Sequence, residues 1–404
     1  MILPVSTHQQ IQASEAEILS TIINKYNLTF NVVHSEDFKD ELEENIVVIE
    51  SGFVVSVVIQ FFETSTLPIE FSYFKKLSTI ILRNTPITNI PEEFFSLPVT
   101  RFEIDYGNLT GSVPPSIGKW KNLNILNLHG NQLSVLPADL FTCANLEFLS
   151  LWGNVIKHVP EDISKLQKLK YLHLGMNSLT DLPKSLGLLK DLKVLICSKN
   201  YLTVIPDEIA LLNNLEELYI EENAITSLPL DIGKLSNLRI FHTFRNKLTR
   251  IPHSISHLTK LEILYIHQNE FDTFPEEIFS LPKLIDLDIS YCNLSTIPSQ
   301  ISSLKCLKRL WIDNNKLTFL PETICSLKAL EGINISDNPI QQLPTCLLDL
   351  KNLRTLSMYY TIKNYDPIID ELEKHGIKVD QNCDIDEEID FDNENIDNNE
   401  FDNF

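Results

Sequence analysis

The stretch Leu169-Lys-Tyr-Leu-His-Leu-Gly-Met-Asn177-Ser-Leu-Thr-Asp-Leu-Pro183-Lys-Ser-Leu-Gly-Leu-Leu-Lys-Asp191 decides the fold. Its spacing returns every 23 residues on either side. The asparagine recurs as Asn131, Asn154, Asn177, Asn200, Asn223, Asn246, Asn269, Asn315 and Asn338, and Cys292 stands at the one interrupted step. Apolar residues precede each such position by eight, five and three, another follows at plus two, and a proline at plus six, as in Leu123, Leu126, Leu128, Leu133 and Pro137 around Asn131.

The pattern has a physical reading. In Leu-x-x-Leu-x-Leu the last two leucines fall on one side of a strand and the residue between them on the other. An asparagine turned inward after the strand can bond backbone groups that would otherwise be buried without partners. The proline fixes φ and lacks a donor, which suits an irregular or extended return segment. One such unit cannot close a core, whereas a stack of about fourteen can.

Working outward, irregular units precede the regular ones, with Phe62, Thr85 and Gly107 at the ladder position, and Thr361 closes the series. Fourteen of the 20 prolines are placed by the repeat, which excludes a proline-rich linker. Residues 1–53 read as an N-terminal cap, with an amphipathic helix from about Ala13 to Tyr26 opened by a Ser14/Glu17 capping box. Residues 54–379 read as the repeat array, whose last return segment, Asp366 to His375, looks helical and suits a C-terminal cap. Residues 380–404 hold eleven acids and no Lys or Arg, half of the net charge of -22, and read as a disordered tail.

That charge argues against nucleic acid as a partner, since phosphate binding needs clustered Lys and Arg. Seven cysteines without a CxxC pair make neither a disulfide framework nor a zinc module; Cys143 and Cys197 occupy core positions. The longest apolar run, Phe53 to Phe62, is too short to span a bilayer, and the first thirty residues show no signal segment. The expectation is a cytoplasmic protein without membrane insertion.

The regular units resemble leucine-rich repeats, in particular the intracellular 23-residue class of Ras-suppressor, Scribble and erbin proteins, and Asn108-Leu-Thr-Gly-Ser-Val-Pro114 resembles the plant-type variant. The resemblance implies an α/β fold: a right-handed solenoid, or horseshoe, with a parallel concave β-sheet. It also implies a non-enzymatic scaffold that binds protein partners, small GTPases or phosphatases among them, on the concave face.

No phosphate-binding loop, dinucleotide fingerprint, HExxH or nucleophile elbow is present. His253 and His257 have metal-ligand spacing but follow Pro252 on a return segment and lack the accompanying Glu, so neither a metal nor a cofactor is expected. The outward-facing strand positions carry more information. They hold Trp152, His173, Tyr219, His242, Phe244, Tyr265, His267 and Trp311, with Arg245 and Arg309 nearby. Large aromatics kept out of a core are interface anchors. Stacking along the sheet is the competing explanation. A sensor for a small ligand or glycan on the same face is the second functional reading.

Overall fold

The computed structural model describes residues 11–35, 44–361 and 366–381. It comprises two compact units, Met1–Leu202 and Thr203–Phe404. The acidic tail beyond Gln381 lies outside the described residues.

The first unit opens with α1, Ala13–Tyr26, over the span that the apolar spacing predicts. The expected capping box does not form. The N-cap is Gln12, with no side-chain capping bond, and its N–H donates to the Gly52 carbonyl at 2.9 Å, so the chain is anchored before Ser14 is reached. Strand β1, Asn31–His34, pairs in parallel with β2, Ile46–Glu50, which runs antiparallel to β3, Phe53–Gln60. Leu19 and Ile22 of α1 are fully buried, and the ring of Tyr26 meets that of Phe62 edge-on at 5.8 Å. Phe62 stands at the first ladder position, where an aromatic packs against the cap better than an asparagine would.

After β3 each repeat contributes one strand, and register follows the sequence period. Leu149 pairs with Leu172 and Leu172 with Leu195, 23 residues apart at each step. These leucines are fully buried, as is Trp120, which replaces a core leucine and donates its indole N–H to the Phe94 carbonyl. Each return segment before the last carries one short 3-10 turn near its proline. Lys184–Leu188, for example, begins directly after Pro183 at φ -68. The proline is still extended, at ψ 141, and stands just outside the turn where no backbone donor is needed, and the tight turn buries Leu186. The plant-like segment adds a strand, Thr110–Gly111, paired with Gln132–Leu133.

The second unit repeats the design from Glu217–Tyr219 to Thr355–Ser357, in parallel register throughout. It closes with α2, Ile368–Lys374, inside the predicted helical segment, and a last strand, Lys378–Asp380, pairs with Thr355–Ser357. One cysteine expectation fails. Cys325 and Cys346 form a disulfide between successive 3-10 turns, where the repeat brings their Cα atoms to 5.9 Å. Their separation is 21 residues, close to the 23-residue step, so the stacking sets them side by side.

The asparagine ladder is built as the chemistry requires. Asn177 Oδ1 accepts the Ile156 N–H at 3.0 Å, while its Nδ2 donates to the carbonyls of Leu151, Leu174 and Gly175. At Gly107 an added Cβ would lie 2.6 Å from Ile104 and 2.7 Å from Asn131 Oδ1, so only glycine fits. Thr361 substitutes in part, its hydroxyl donating to the Ile335 carbonyl at 3.0 Å. Cys292 offers a weaker thiol, 3.3 Å from the Ser290 carbonyl, and burial pushes it up to about 12 although backbone hydrogen bonds from Asn269 and Phe271 act the other way. Asn177→Ala should therefore lower stability by about 2–4 kcal/mol, because a buried N–H and three carbonyls lose their partner. Cys292→Asn should raise it by roughly 1 kcal/mol. Urea midpoints compared with wild type would check both, and a neutral Asn177→Ala would disprove this account of the ladder.

Candidate functional site

The outward face of the second unit follows from strand alternation. Tyr219, His242, Tyr265, Asp288 and Trp311 are consecutive register partners in one column. Phe244 and His267 lie in the next column. Parallel strands are roughly 4.8 Å apart, close to the stacking distance of two rings, and the side chains use that match. His242 stacks on Tyr265 with centroids 4.5 Å apart, Phe244 stacks on His267 at 4.3 Å, and Tyr219 meets His242 edge-on at 4.9 Å.

The stacking alters the exposure that strand alternation alone predicts. Tyr219 and His242 are buried, only 5% and 6% exposed, because each is covered by its neighbours' rings. Tyr265, Phe244, His267 and Trp311 remain half-buried. Burial holds the His242 imidazole down to about 3, so it is a neutral ring at physiological pH. The hydroxyls are tied down as well. Tyr219 donates to Glu217 at 2.8 Å and Tyr265 to Asp286 at 3.1 Å. Both arginines named above are engaged: Arg245 Nε donates to Gln268 at 2.9 Å with Glu222 at 3.6 Å, and Arg309 Nε donates to Asp286 at 2.5 Å.

In the first unit Trp152 is half-buried, with its ring centroid 5.6 Å from that of His129 and 6.4 Å from those of Tyr106 and His173. His173 is buried, and desolvation lowers its imidazole to about 3. Phe148 and Tyr171 stack at 4.5 Å, nearly parallel. Among the described residues no group of His, Cys, Asp or Glu is placed to hold a metal ion, and His253 and His257 lie exposed on a 3-10 turn.

Two features escape a reading of strand positions. The residue immediately before each ladder position adopts the left-handed conformation, including Tyr106, Met176, Tyr291 and Tyr360 at φ 49–51. Such backbone is uncommon for bulky residues, and Tyr291 and Tyr360 are 53% and 77% exposed. Glycine or asparagine at the same position elsewhere, as at Asn84, Gly130, Gly153 and Asn314, was the available signal. The other feature is an acidic corner. Asp313 is 8% exposed and accepts from the amides of Asn334 and Asn314, both at 3.0 Å; burial pushes its carboxyl up to about 6. Asp288 accepts from the backbone and hydroxyl of Ser290, with His267 Nδ1 at 3.0 Å but outside hydrogen-bond alignment.

A leucine-rich repeat region model matches residues 108–224, and a leucine rich repeat model matches 213–271 and 259–317. A leucine-rich repeat protein of Leptospira interrogans is similar over 79% of this chain and 81% of its own, at 31% identity and a TM-score of 0.72. The chain therefore belongs to the leucine-rich repeat family. An internalin of Listeria monocytogenes shares the fold at 20% identity and a TM-score of 0.64, covering 82% of this chain and 90% of that one. A plant peptide hormone receptor in complex with its ligand does so at 24% identity and 0.61, covering 83% and 61%. No curated protein sequence matches the chain. Leucine-rich repeat folds generally mediate protein–protein interaction and are typically non-enzymatic. No described helix is long and apolar enough to cross a membrane.

The position of Asp313 makes a pH prediction. Its folded value of about 6 exceeds the ordinary 3.8, so the folded state holds the proton more tightly and loses stability as pH rises from 4 towards 6. The cost then persists at neutral pH. Relative to wild type, Asp313→Asn should gain about 2–3 kcal/mol on going from pH 4 to pH 7.5. Lost amide geometry lowers the variant at both pH values and cancels in this difference. Denaturant titrations at the two pH values measure it, and a pH-independent difference would show that Asp313 is not destabilised by its burial.

Proposed function

We propose that the chain is a non-enzymatic interaction scaffold that binds a protein partner on the open face of the second unit, through Tyr265, Phe244, His267 and Trp311 with Arg245 and Arg309 at the margin. The stacked array is the observation that carries this reading. Its rings are held by their neighbours yet remain half-buried, so a partner gains aromatic contact area with little further side-chain ordering. Tyr219 and His242 support the array from beneath. In the first unit, Trp152 and His173 form a separate aromatic cluster that is a second candidate contact.

The finer assignment is the Ras-suppressor and Scribble-like class, acting in small-GTPase or phosphatase signalling in the cytoplasm. The 23-residue period and the absence of a CxxC framework support it. The Cys325–Cys346 bridge pulls the other way, since disulfides persist in oxidising compartments. Recognition of a small ligand or glycan is the second reading. It is favoured by Trp152, a half-buried indole on the open face of the first unit with the His129 and His173 rings beside it.

Replacing Phe244, Tyr265 and Trp311 together with Ala should abolish retention of the partner by the immobilised chain, read by mass spectrometry. Leu230→Ala, at a residue 78% exposed, should leave retention intact. Retention by the triple variant would remove the patch, and glycan binding without any protein would favour the ligand reading. Alkylation of the protein as isolated from its native source, followed by mass mapping, should find Cys325 and Cys346 as thiols if it operates in the cytoplasm. An intact bridge would place it in an oxidising compartment.

A further inference from the structure

A row of poorly matched cations runs along the edge of the second unit where the chain enters its strands. One or two positions before the first leucine of the repeat stand Lys260, Lys283, Lys305, Lys328 and Lys351, one in every repeat from that of Leu261 to that of Leu353. One position after it, Lys308 and Arg354 add to the row, and all of these residues are exposed. In the two preceding repeats of this unit the same positions hold Asn213, Asn214, Ser236 and Asn237, so the lysines gather towards its end. Of the row, only Lys308 is in an ion pair among the described residues, with Glu331 at 2.9 Å. Lys260 and Lys328 donate to neutral oxygens, the Asn237 amide and the Asp349 carbonyl. Lys283, Lys305 and Lys351 have neither a hydrogen bond nor an ion pair with any described residue. Glu262, the other acid on this edge, is already held by Arg239.

In a chain of net charge -22 such a row is the exception, and the matching excess follows it in the sequence. Residues 382–404 hold ten acids, the eleven from 380 onward less Asp380, and no Lys or Arg. Their spacing is regular at first. Asp384, Asp386, Glu388, Asp390, Asp392 and Glu394 occupy every second position, with Ile385, Ile389 and Phe391 between them. Alternate residues of an extended segment share one side. Drawn out along a surface, these carboxylates would form a line, and a line of lysines is what they would meet here.

The acidic segment also starts in the right place. The last strand pairs Lys378 with Thr355, the residue after Arg354, and Asp380 with Ser357. From Gln381 the chain must return about four residues, roughly 13 Å, to come level with Arg354 and Lys351. The four steps from that repeat to Lys260 add roughly 19 Å. An extended chain of the length of residues 382–404 spans about 80 Å, so reach is no obstacle. Tethering favours this segment over a free polyanion, because it holds the carboxylates at high local concentration while the chain's net charge repels other anions.

We propose that the acidic segment 384–394 docks in extended form on this lysine edge of its own chain, with its carboxylates against Lys283, Lys305, Lys328 and Lys351. Each exposed pair contributes little; the contact acts through number and tether, and it weakens as salt screens it. The edge is separate from the aromatic face, so this docking does not depend on the protein-binding reading above. Its consequence is regulatory. An acidic ligand reaches these lysines only by displacing the segment that covers them.

The test is acetylation footprinting of the full chain, read lysine by lysine by mass spectrometry. The comparison is with a variant whose six alternating acids are neutralised: Asp384→Asn, Asp386→Asn, Glu388→Gln, Asp390→Asn, Asp392→Asn and Glu394→Gln. At about 0.05 M salt, Lys283, Lys305 and Lys351 should react at least about fivefold more slowly in wild type than in the variant, and about 1 M salt should abolish the difference. Lys316, exposed in the same unit but beyond the strand's other end, should react alike in both. Equal rates at the three lysines overturn the docking, as does equal protection of Lys316, which would be the segment's charge acting at a distance. Carbodiimide cross-linking of a mixture of ¹⁵N-labelled and unlabelled chains identifies the occupant. Links from residues 384–394 to these lysines within one isotopic chain support the proposal, whereas links between labelled and unlabelled chains assign the edge to a second copy and overturn it.

Discussion

Each repeat must turn the chain inside a stack with no water available to its backbone, and one side chain meets that constraint. The ladder asparagine accepts one backbone N–H from the preceding turn and donates to carbonyls of its own and the preceding turns, as Asn154 does with Leu133, Leu128, Leu151 and Trp152. No other side chain of that size offers an acceptor and two donors on one flat group. Register, and hence which residues point outward, follows from it. Where the ladder departs, the local chemistry changes to suit: Phe62 meets the ring of Tyr26 in the first helix, Gly107 yields its space to Asn131, and Thr361 bonds the Ile335 carbonyl through its hydroxyl.

That dependence explains what could be read from the residues. Period-23 spacing, the cap helix from Ala13 to Tyr26, the buried Trp120 and the strand in every repeat are consequences of local pattern, and all appear where the pattern puts them. The Ser14 capping box failed because a tertiary bond, Gln12 to Gly52, chose the helix start. The Cys325–Cys346 bridge was hidden because the cysteines fall at slightly different positions in successive repeats, and only the stacked turns show that they meet. The site was legible as a set of columns but not as a set of exposures. Whether Tyr219 or Tyr265 meets solvent depends on how the neighbouring rings lie over it, and no spacing rule contains that.

Stacking and binding need not compete on this face. A ring packed flat on the next strand's ring contributes to sheet stability through its covered side and still offers its edge and opposite side. Tyr219 and His242 have spent nearly all their surface on the first role, whereas Tyr265, Phe244 and His267 keep part for the second. The neutral state of His242 fits this division, because a charged imidazole could not be buried between two tyrosines without a counter-ion.

The acidic corner follows a different logic from the array beside it. A scaffold selected for stability alone would pair Asp288 and Asp313 with lysine or arginine on neighbouring strands, as Arg239 is paired with Glu262 at 2.9 Å three residues before the His242–Tyr265 rung. The repeat offers such cross-strand positions at every step, so the omission is not forced by geometry.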